Sequence, residues 1–337
     1  MRITFGPIRH GIWALLVVLA SCNNRAKDAL EGVDVNGPTP SRPATPLTSD
    51  WPLSKDATLA LQISEAQRLN VPPACRLDLG EGVAIDLVLI PRGVFPMGSP
   101  TSAIQGNPPH LVQISRSFLM ARYEVNWRQF LKVVKLDDVD LATRYTIENY
   151  VIPNQRMDWV ADVDWLHASA FCRSLSTTQG VRARIPTEAE WEYACRAGTC
   201  ELYGEWDSID DTKANISGWY GPDGNWVAPK QDIPLRGSGG YEPNRWGLYD
   251  MIGNYSEWCL DRYESRLDLN SLPSIDPLPD DNGSVFRVVR GNDSSTVFQR
   301  MGDASTANTR AIRLVVEIDD ATTKKVVVEN QNAMGQR

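Results

Sequence analysis

The chain has 337 residues, which is enough for one large domain or two ordinary ones with a substantial core. Its 42% hydrophobic and 23% charged residues exclude wholesale disorder and a protein with many membrane spans. The formal net charge of -8 argues against nucleic acid or an anionic membrane surface as a partner. Three histidines are too few for a site with several His ligands, and 11 tryptophans predict a fold that buries many large rings.

The start of the chain has the pattern of a bacterial lipoprotein signal. A basic segment precedes an apolar stretch at 12–20, which is too short to span a bilayer as a helix. The sequence Leu19-Ala20-Ser21-Cys22 then resembles a lipobox, the motif whose Cys receives a diacylglycerol. We predict a signal peptide over residues 1–21 and lipidation of Cys22, so that the membrane partner is reached through an N-terminal lipid. The alternative is an ordinary secretory signal with an incidental Cys.

The segments that follow predict how the chain is divided. Asn23 after the lipidated Cys favours sorting to the outer membrane of a bacterial cell envelope. Residues 22–50 are polar and rich in Pro, which predicts a disordered lipidated tether. A weak helical pattern over 51–79 predicts a short helical lead-in. We expect the folded domain over 80–328 and a polar tail over 329–337.

The first predicted elements of the domain are strands and capped helices. Strand-like runs lie at 83–90 and 111–114, between loops rich in Pro and Gly. A helix is expected after Asn126, because Asn126 and Gln129 form a candidate capping box ahead of apolar residues at helical spacing. The amphipathic pattern from Trp165 to Leu175 predicts a second helix.

A further helix is predicted to begin after Thr187, which forms a capping box with Glu190, and to end at Gly198. We interpret Glu188, Glu190 and Glu192 as solvated acids that favour the helix dipole. Beyond this helix the chain is rich in Gly, Pro, Asn, Asp and Trp. The remaining strand candidates are 285–289, 312–318 and 326–328. Together these patterns predict an α+β domain with much irregular backbone.

Six segments carry short motifs in a fixed order. They are Phe95–Ser99, His110, Tyr123–Asn126, Ala183–Ala194, Pro243–Asn254 with Glu257-Trp258, and Arg290-Gly291 with Thr309–Arg313. In this order they resemble the formylglycine-generating enzyme family, also called the sulfatase-modifying factor family. The resemblance covers about residues 88–316. It implies a C-type-lectin-like α+β fold that is rich in loops, has little regular secondary structure and is often calcium-bound.

One of these segments contains oxygen ligands that suit calcium. Asp250 and Glu257 supply carboxylates, and the backbone carbonyl at Gly253 can approach an ion closely. In the resembled family, the positions of Asp250, Gly253, Tyr255 and Glu257 bind a structural calcium, the Gly and Tyr positions through their carbonyls. The resemblance therefore implies the same set here. The alternative is that Asp250 caps a turn and Glu257 pairs with an Arg.

The resemblance also implies a possible second calcium. Its ligands would be Asn215, the carbonyl of Ile216 and an acid such as Asp223. The spacing around Asp223 departs from the pattern of the family.

The region where catalytic relatives hold copper is different in this chain. Those relatives use two thiolates after an Arg-Gly-Gly-Ser segment, and soft thiolates are the ligands that Cu(I) prefers. Here that segment reads Arg-Gly-Asn-Asp, and no cysteine follows Cys259. Copper is therefore not expected, since Thr296 near the first thiolate position offers only a hydroxyl. The candidate binding groove at this place consists of Arg290, Asn292, Asp293 and Thr296.

The cysteines that follow the lipobox do not indicate a catalytic site. They are Cys75, Cys172, Cys195, Cys200 and Cys259, an odd number that implies at least one free thiol or an intermolecular bond. Cys172 and Cys195 lie on apolar helix faces, where a Cys is usually a small, protonated hydrophobe. A disulfide between Cys195 and Cys200 is one open possibility, and the other pairings stay open too.

These observations favour a membrane-anchored lipoprotein whose domain is a non-catalytic binding or structural module of the cell envelope. Its ligand would be a protein, a peptide or a glycan. One alternative is an oxidase that converts a sulfatase cysteine to formylglycine. Another is an accessory subunit of a secretion or motility apparatus. The segment 219–241 is rich in Trp and Tyr and is a candidate lining for a binding site, although buried aromatics are the competing explanation.

Overall fold

The structure is a computed structural model that describes residues 49–98, 109–201, 203–204, 206, 208–216, 218–220, 226–228, 237–264, 274–278, 284–291, 300–306 and 309–328. These residues belong to the unit Thr39–Arg337. The predicted signal peptide 1–21, Cys22 and the tail 329–337 lie outside the described residues, as does the tether 22–50 except for its last two positions. Within the described residues, no helix is both long enough and apolar enough to cross a membrane.

The described part contains α-helices of very different lengths. They are α1 (Lys55–Leu69), α2 (Trp127–Val133), α3 (Leu141–Thr146), α4 (Trp165–Gln179), α5 (Glu188–Arg196) and α6 (Asp320–Lys325). A 3-10 turn precedes α3 at Leu136–Asp138, and a π-helical turn extends it over Ile147–Val151.

Capping explains where two of these helices begin, as the sequence predicts. The Asn126 side chain accepts a hydrogen bond from the Gln129 backbone N–H at 2.9 Å, and the Gln129 side chain accepts one from the Asn126 N–H at 3.0 Å. Thr187 and Glu190 form the same reciprocal pair at the start of α5. Both predicted capping boxes are therefore confirmed. Helix α5 ends at Arg196, because Ala197 adopts a left-handed conformation just before Gly198.

The strands form two larger sheets and two hairpins. They are β1 (Ala74–Gly80), β2 (Val83–Ile90), β3 (Gly93–Met97), β4 (His110–Ile114), β5 (Phe118–Ala121), β6 (Asp162–Val163), β7 (Ala183–Arg184), β8 (Trp219–Tyr220), β9 (Trp226–Val227), β10 (Glu257–Arg262), β11 (Phe286–Arg290), β12 (Met301–Ala304), β13 (Arg310–Ala311), β14 (Val315–Glu317) and β15 (Val326–Val328). The first sheet has the order β15-β1-β2-β5-β14-β7, and the second has the order β12-β11-β10-β13-β6. Strands β3 and β4 pair with each other, as do β8 and β9.

The pairing within the two larger sheets differs. Every neighbouring pair of the six-stranded sheet is antiparallel. In the five-stranded sheet, β10 and β13 run parallel while the other neighbours are antiparallel.

Two sequence expectations differ from the observed strands. The predicted strand 312–318 is shorter than expected, because only Val315–Glu317 forms β14 of the six-stranded sheet. Before it, the carbonyl of Ile312 accepts the backbone N–H of Val125, which is not part of a strand. The predicted lead-in 51–79 contains strand β1 as well as helix α1, so its last residues are part of the six-stranded sheet.

The core contains many large rings, as the tryptophan content predicts. Trp165, Trp191, Trp246 and Trp258 are among the largest fully buried side chains. Trp51 also joins the core, with its ring centroid 5.3 Å from that of Tyr193. Rings at these separations add roughly 0.5–1.5 kcal/mol per pair beyond the burial of their area.

A buried amide helps to attach helix α1 to the rest of the fold, together with Glu65, which accepts hydrogen bonds from Ser117 and Arg92. The Gln62 Nε2 atom donates to the carbonyl oxygens of Leu89 at 2.8 Å and Trp246 at 3.2 Å. Gln62 is 5% exposed, so neither carbonyl has ready access to water as a replacement partner.

We expect Gln62→Ala to lower the free energy of unfolding by about 1–3 kcal/mol, because it leaves buried carbonyls without their donor. Urea denaturation measures this change. Gln67→Ala is the matched control, since Gln67 is exposed on the same helix and the loss should stay within about 0.5 kcal/mol. Equal effects of the two variants would show that the Gln62 bonds do not attach the helix.

Candidate functional site

Helix α5 directs two of its acidic side chains into the interior. Glu188 is 2% exposed and Glu192 is fully buried. Arg290 donates to Glu188 at 2.8 Å and to Glu192 at 2.6 Å, while Arg300 donates to Glu188 at 2.7 Å. The expectation of solvated acids is wrong for both residues, because arginines of later segments cover this helix face. These pairs form the α5 ion network.

The same network reaches the Phe95–Ser99 motif. Arg196 donates through Nη2 to Glu192 and to the carbonyl of Gly98, both at 2.8 Å. The Gly98 backbone N–H donates in turn to Glu192 at 2.8 Å. Burial raises the pKa of Glu192, but Arg196 and Arg290 outweigh it and hold that pKa below its usual value.

The third acid of the helix, Glu190, is also paired. Arg184 donates to its two oxygens at 2.6 and 2.7 Å. Glu190 is 9% exposed, so the expectation of a solvated side chain is wrong here as well.

Asp261 also contributes a carboxyl group to the α5 ion network, through a backbone contact instead of an ion pair. Its Oδ2 accepts the backbone N–H of Glu188 at 2.6 Å. Burial, and then the neighbouring Glu188 carboxylate, raise the pKa of Asp261 to about 7. This carboxyl therefore titrates near neutral pH inside the fold.

A second buried ion pair lies at the predicted calcium segment. Arg313 donates to both oxygens of Glu257, at distances from 2.6 to 2.9 Å, and the Trp191 indole N–H donates to the same carboxylate at 2.7 Å. Arg313 also donates to the carbonyls of Ala121, Arg122 and Tyr249. The pairing of Glu257 with an Arg is thus formed, as one of the two interpretations of this residue expects.

The other residues of the predicted calcium set lie close to Glu257 in the chain. Asp250 is half-buried, and its carboxylate accepts the backbone N–H of Gly239. Burial raises the pKa of Asp250. Gly253 has a φ of +84°, and a Cβ there would lie 2.5 Å from the carbonyl oxygen of Asn215. Only glycine fits this approach, and it leaves the turn from Asp250 to Tyr255 tightly packed.

The possible second calcium set adjoins the first. The Asn215 carbonyl accepts the backbone N–H of Asn254 at 2.7 Å, and Ile216 packs against the same turn at Gly253. Asp223 lies outside the described residues. The structure therefore places Asn215 and Ile216, two residues of the possible second calcium site, next to the residues of the first predicted site.

Glu124 is a buried acid beside these residues that the sequence does not single out. It accepts hydrogen bonds from Asn254 at 2.9 Å and from Ser238. Burial, and then repulsion from Asp250, raise the pKa of Glu124 to about 8. Arg313 is the guanidinium near it, at 4.0 Å.

The candidate groove residues do not form a described surface. Arg290 is fully buried in the α5 ion network, so its placement in a groove is wrong. The reason is that two α5 carboxylates need its charge in the core. Asn292, Asp293 and Thr296 lie outside the described residues.

Among the described cysteines, Cys172, Cys195, Cys200 and Cys259 are free thiols. Cys75, Cys172, Cys195 and Cys259 are buried, and Cys200 is partly exposed. The possible disulfide between Cys195 and Cys200 is therefore not formed. Burial raises the pKa of Cys172 and of Cys195 to about 12, as expected for structural thiols on apolar helix faces.

His167 joins two helix caps. Its Nδ1 lies 2.8 Å from Asp164 Oδ1, and the Asp140 backbone N–H donates to its Nε2 at 3.2 Å. Asp140 and Asp164 are the N-caps of α3 and α4. The three side chains lie within 4.8 Å of one another, and these caps explain the arrangement.

The profile of the Sulfatase-modifying factor enzyme 1-like domain matches residues 81–314. This is well over half of the chain, and the chain belongs to this family. The fold agrees with it. Treponema denticola variable protein 1 superposes with a TM-score of 0.56 and 20% identity, over 73% of this chain and 100% of that one. PvdO from Pseudomonas aeruginosa superposes with a TM-score of 0.52 and 23% identity, over 73% of this chain and 99% of that one.

Curated relatives carry several different names. The formylglycine-generating enzyme of Thermomonospora curvata is 29% identical over 265 residues, covering 62% of this chain and 82% of the relative. An "Inactive C-alpha-formylglycine-generating enzyme 2" from Bos taurus is 25% identical over 278 residues, covering 67% and 86%. Serine/threonine-protein kinase pkn1 of Chlamydia pneumoniae is 28% identical over 227 residues, covering 62% and 33%. The chain thus spans about a third of the length of the chlamydial kinases it matches.

The raised pKa of Asp261 predicts a pH effect on stability. The folded state binds a proton at about pH 4–7 that the unfolded chain has already released, so the stabilisation from this group is present at low pH and is lost as the pH rises through about 7. We expect Asp261→Asn to flatten the decline in the free energy of unfolding between pH 4.5 and 7.5. Urea denaturation at several pH values measures how the free energy of unfolding depends on pH. Asp320→Asn, an exposed change on α6, should leave the wild-type slope, and a slope unchanged by Asp261→Asn would contradict the assignment.

Proposed function

We propose that the chain is a membrane-anchored lipoprotein whose domain is a non-catalytic binding or structural module of the cell envelope. The state of its cysteines carries this proposal. Four of the five described thiols are buried, and the sequence has no cysteine after Cys259, where catalytic relatives would place a copper-binding pair.

The protonation of these thiols supports the same conclusion. Only a thiolate is a good copper ligand or nucleophile. Burial raises the pKa of Cys172 and Cys195 to about 12 and that of Cys259 well above its usual value. At neutral pH these three residues are thiols within the core. The name of the Bos taurus relative, which calls it inactive, also supports the proposal.

The alternative, a formylglycine-generating oxidase, is tested directly. We expect the mature chain, supplied with Cu(I) and oxygen, to leave a Cys-x-Pro-x-Arg peptide unchanged, because no suitable thiolate pair is available. Mass spectrometry follows the conversion of thiol to aldehyde. The Thermomonospora curvata relative is the positive control. Copper-dependent aldehyde formation by the chain would contradict the proposal, and Cys→Ala variants at the buried positions would then identify the ligands.

We also propose that calcium stabilises the domain at Asp250, with the carbonyls of Gly253 and Tyr255 as further ligands. The charges of the region support such an ion. Glu124, Asp250 and Glu257 share the positive charge of Arg313, so this buried region has a surplus of carboxylates. Glu257, the last member of the predicted set, is already paired with Arg313 and Trp191. Bound calcium would supply positive charge and hold the turn.

Calcium binding predicts a shift in thermal stability. At a calcium concentration about 100 times the Kd, the free energy of unfolding should rise by about 2.7 kcal/mol relative to EDTA. Asp250→Asn should remove most of this increase, because it removes a charged ligand. Asp138→Asn changes the same charge at an exposed position and should keep the full increase. Differential scanning calorimetry of the three proteins decides the question, and no calcium effect on the wild type would refute the site.

The proposed anchor predicts where the protein is found in the cell. Cys22→Ala should move the protein from the membrane fraction to a soluble one and abolish the incorporation of labelled palmitate, since Cys22 is the proposed acylation site. Cys200→Ser serves as the control, because this partly exposed thiol is outside the lipobox and its loss should leave the protein in the membrane fraction. Retention of the Cys22 variant on membranes with its label intact would exclude the lipobox.

A further inference from the structure

A cleft lies beside the C-terminal end of helix α5, outside the ion network. It encloses about 390 Å³ including its open mouth. Its lining includes Tyr203, Trp206, Tyr241, Glu242, Asn244 and Asp250. We name it the aromatic cleft. Neither the ion pairs nor the thiols discussed above give it a role.

The cleft combines an apolar floor with aromatic walls. Cys195, Leu248, Met251 and Ile252 are buried side chains that contribute to its lining. Tyr203, Trp206 and Tyr241 are only partly buried. All three rings contribute to the lining of the cleft, and Tyr203 also packs against the hydrophobic core.

The charges at the cleft are predominantly negative. Glu242 and Asp250 place carboxylates in its lining, and Glu242 is exposed. The Lys213 ammonium is held by the carbonyl of Ser208 at 2.8 Å and by Asp210 at 3.7 Å, which offsets its charge. Burial, then Asp250 and Asp211, raise the pKa of the Tyr241 hydroxyl, in agreement with a negative potential at this wall.

The neutral amide in the lining is already committed to the fold. Asn244 donates through Nδ2 to the carbonyls of Ala194 and Cys195, and its Oδ1 accepts the backbone N–H groups of Trp246 and Leu248. The amide group of Asn244 is therefore used within the fold. The ring faces and carboxylates of the lining both attract cations.

We propose that the aromatic cleft binds an alkylated ammonium group. Trp206, Tyr203 and Tyr241 supply electron-rich faces, Glu242 supplies the opposite charge, and the floor contacts the methyl groups. An anionic ligand is disfavoured by the same carboxylates. Such a cation could belong to a small molecule such as choline or to a methylated lysine side chain of a partner protein, since both present the same trimethylammonium group.

This inference rests on the proposed function, because it names a ligand for the binding module. It does not depend on calcium. Asp250 belongs to the predicted calcium set, whereas Glu242 does not, and Glu242 keeps a carboxylate at the cleft in either case. Binding is therefore expected both with calcium and with EDTA.

The test compares choline with 3,3-dimethyl-1-butanol, which has the same shape and no charge. Isothermal titration calorimetry on the mature chain should show choline binding, with the neutral alcohol about tenfold weaker. Equal affinity for the two compounds would reduce the cleft to an apolar pocket and overturn the proposal. No binding of either choline or a peptide that carries trimethyl-lysine would also overturn it.

Variants then locate the site. Trp206→Leu and Glu242→Gln should each weaken choline binding roughly fivefold or more, while Trp206→Phe should keep most of it. Asp138→Asn is the control for the lost charge and should bind as the wild type does. Thermal unfolding of each variant confirms that it is folded. Choline binding that none of the cleft variants changes would place the site elsewhere and contradict the proposal.

Two further comparisons separate the possible outcomes. A trimethyl-lysine peptide that binds more tightly than choline would indicate a protein partner, and the reverse order a small molecule or headgroup. The formylglycine assay on the same preparation reports separately on the proposed function. Absence of choline and peptide binding together with absence of aldehyde would overturn only the ammonium site, whereas aldehyde formation would overturn the binding module itself.

Discussion

The pairing of the α5 carboxylates with arginines is the interaction on which the rest of the fold depends. Glu190 binds Arg184 on strand β7 of the six-stranded sheet, while Glu188 binds Arg290 on strand β11 of the five-stranded sheet. One short helix thus joins both sheets through charge. Burying an ion without all of its partners costs several kcal/mol of folding free energy. Displacement of either sheet would therefore leave a buried charge unpaired. The helix, the sheets and the Gly98 turn are therefore expected to form together.

Under the proposed function, this constraint explains how a family signature is retained without the family reaction. The most recognisable stretch of the chain, Ala183–Ala194, supplies the acids of the network, and Arg290 and Arg300 supply its partners. These residues are used to build the interior. A scaffold of this kind can acquire new surface properties, such as the aromatic cleft, at little cost to its stability.

The sequence was sufficient for the family, the fold class and the local helix signals, because capping boxes and ordered motifs are short-range patterns. It was misleading for Glu188 and Glu192. In an α-helix both residues lie on the same face as Trp191 and Cys195, so the periodicity of the helix already indicated that they are buried. We instead gave more weight to the preference of acidic residues for the start of a helix. The distant arginines that pair with them, Arg290 and Arg300, lie roughly a hundred residues further along the chain, and no local pattern reveals such a pairing. Strand β1 was missed for a related reason: its alternation of Cys75, Leu77 and Leu79 is brief, and its pairing with β15 joins distant segments.

The pairing of β1 with β15 protects one edge of the six-stranded sheet. Strand β15 is only three residues long, and it covers Cys75–Leu77 at the margin of the six-stranded sheet. Strand β15 forms hydrogen bonds with the outer edge of β1. Without it, the backbone groups of β1 could pair with strands of other molecules, which is how edge-to-edge aggregation usually begins. The segment Val326–Val328 therefore protects the sheet margin although it contributes little area. Proteolytic loss of this segment would remove Val326 from the core and make the protein prone to self-association.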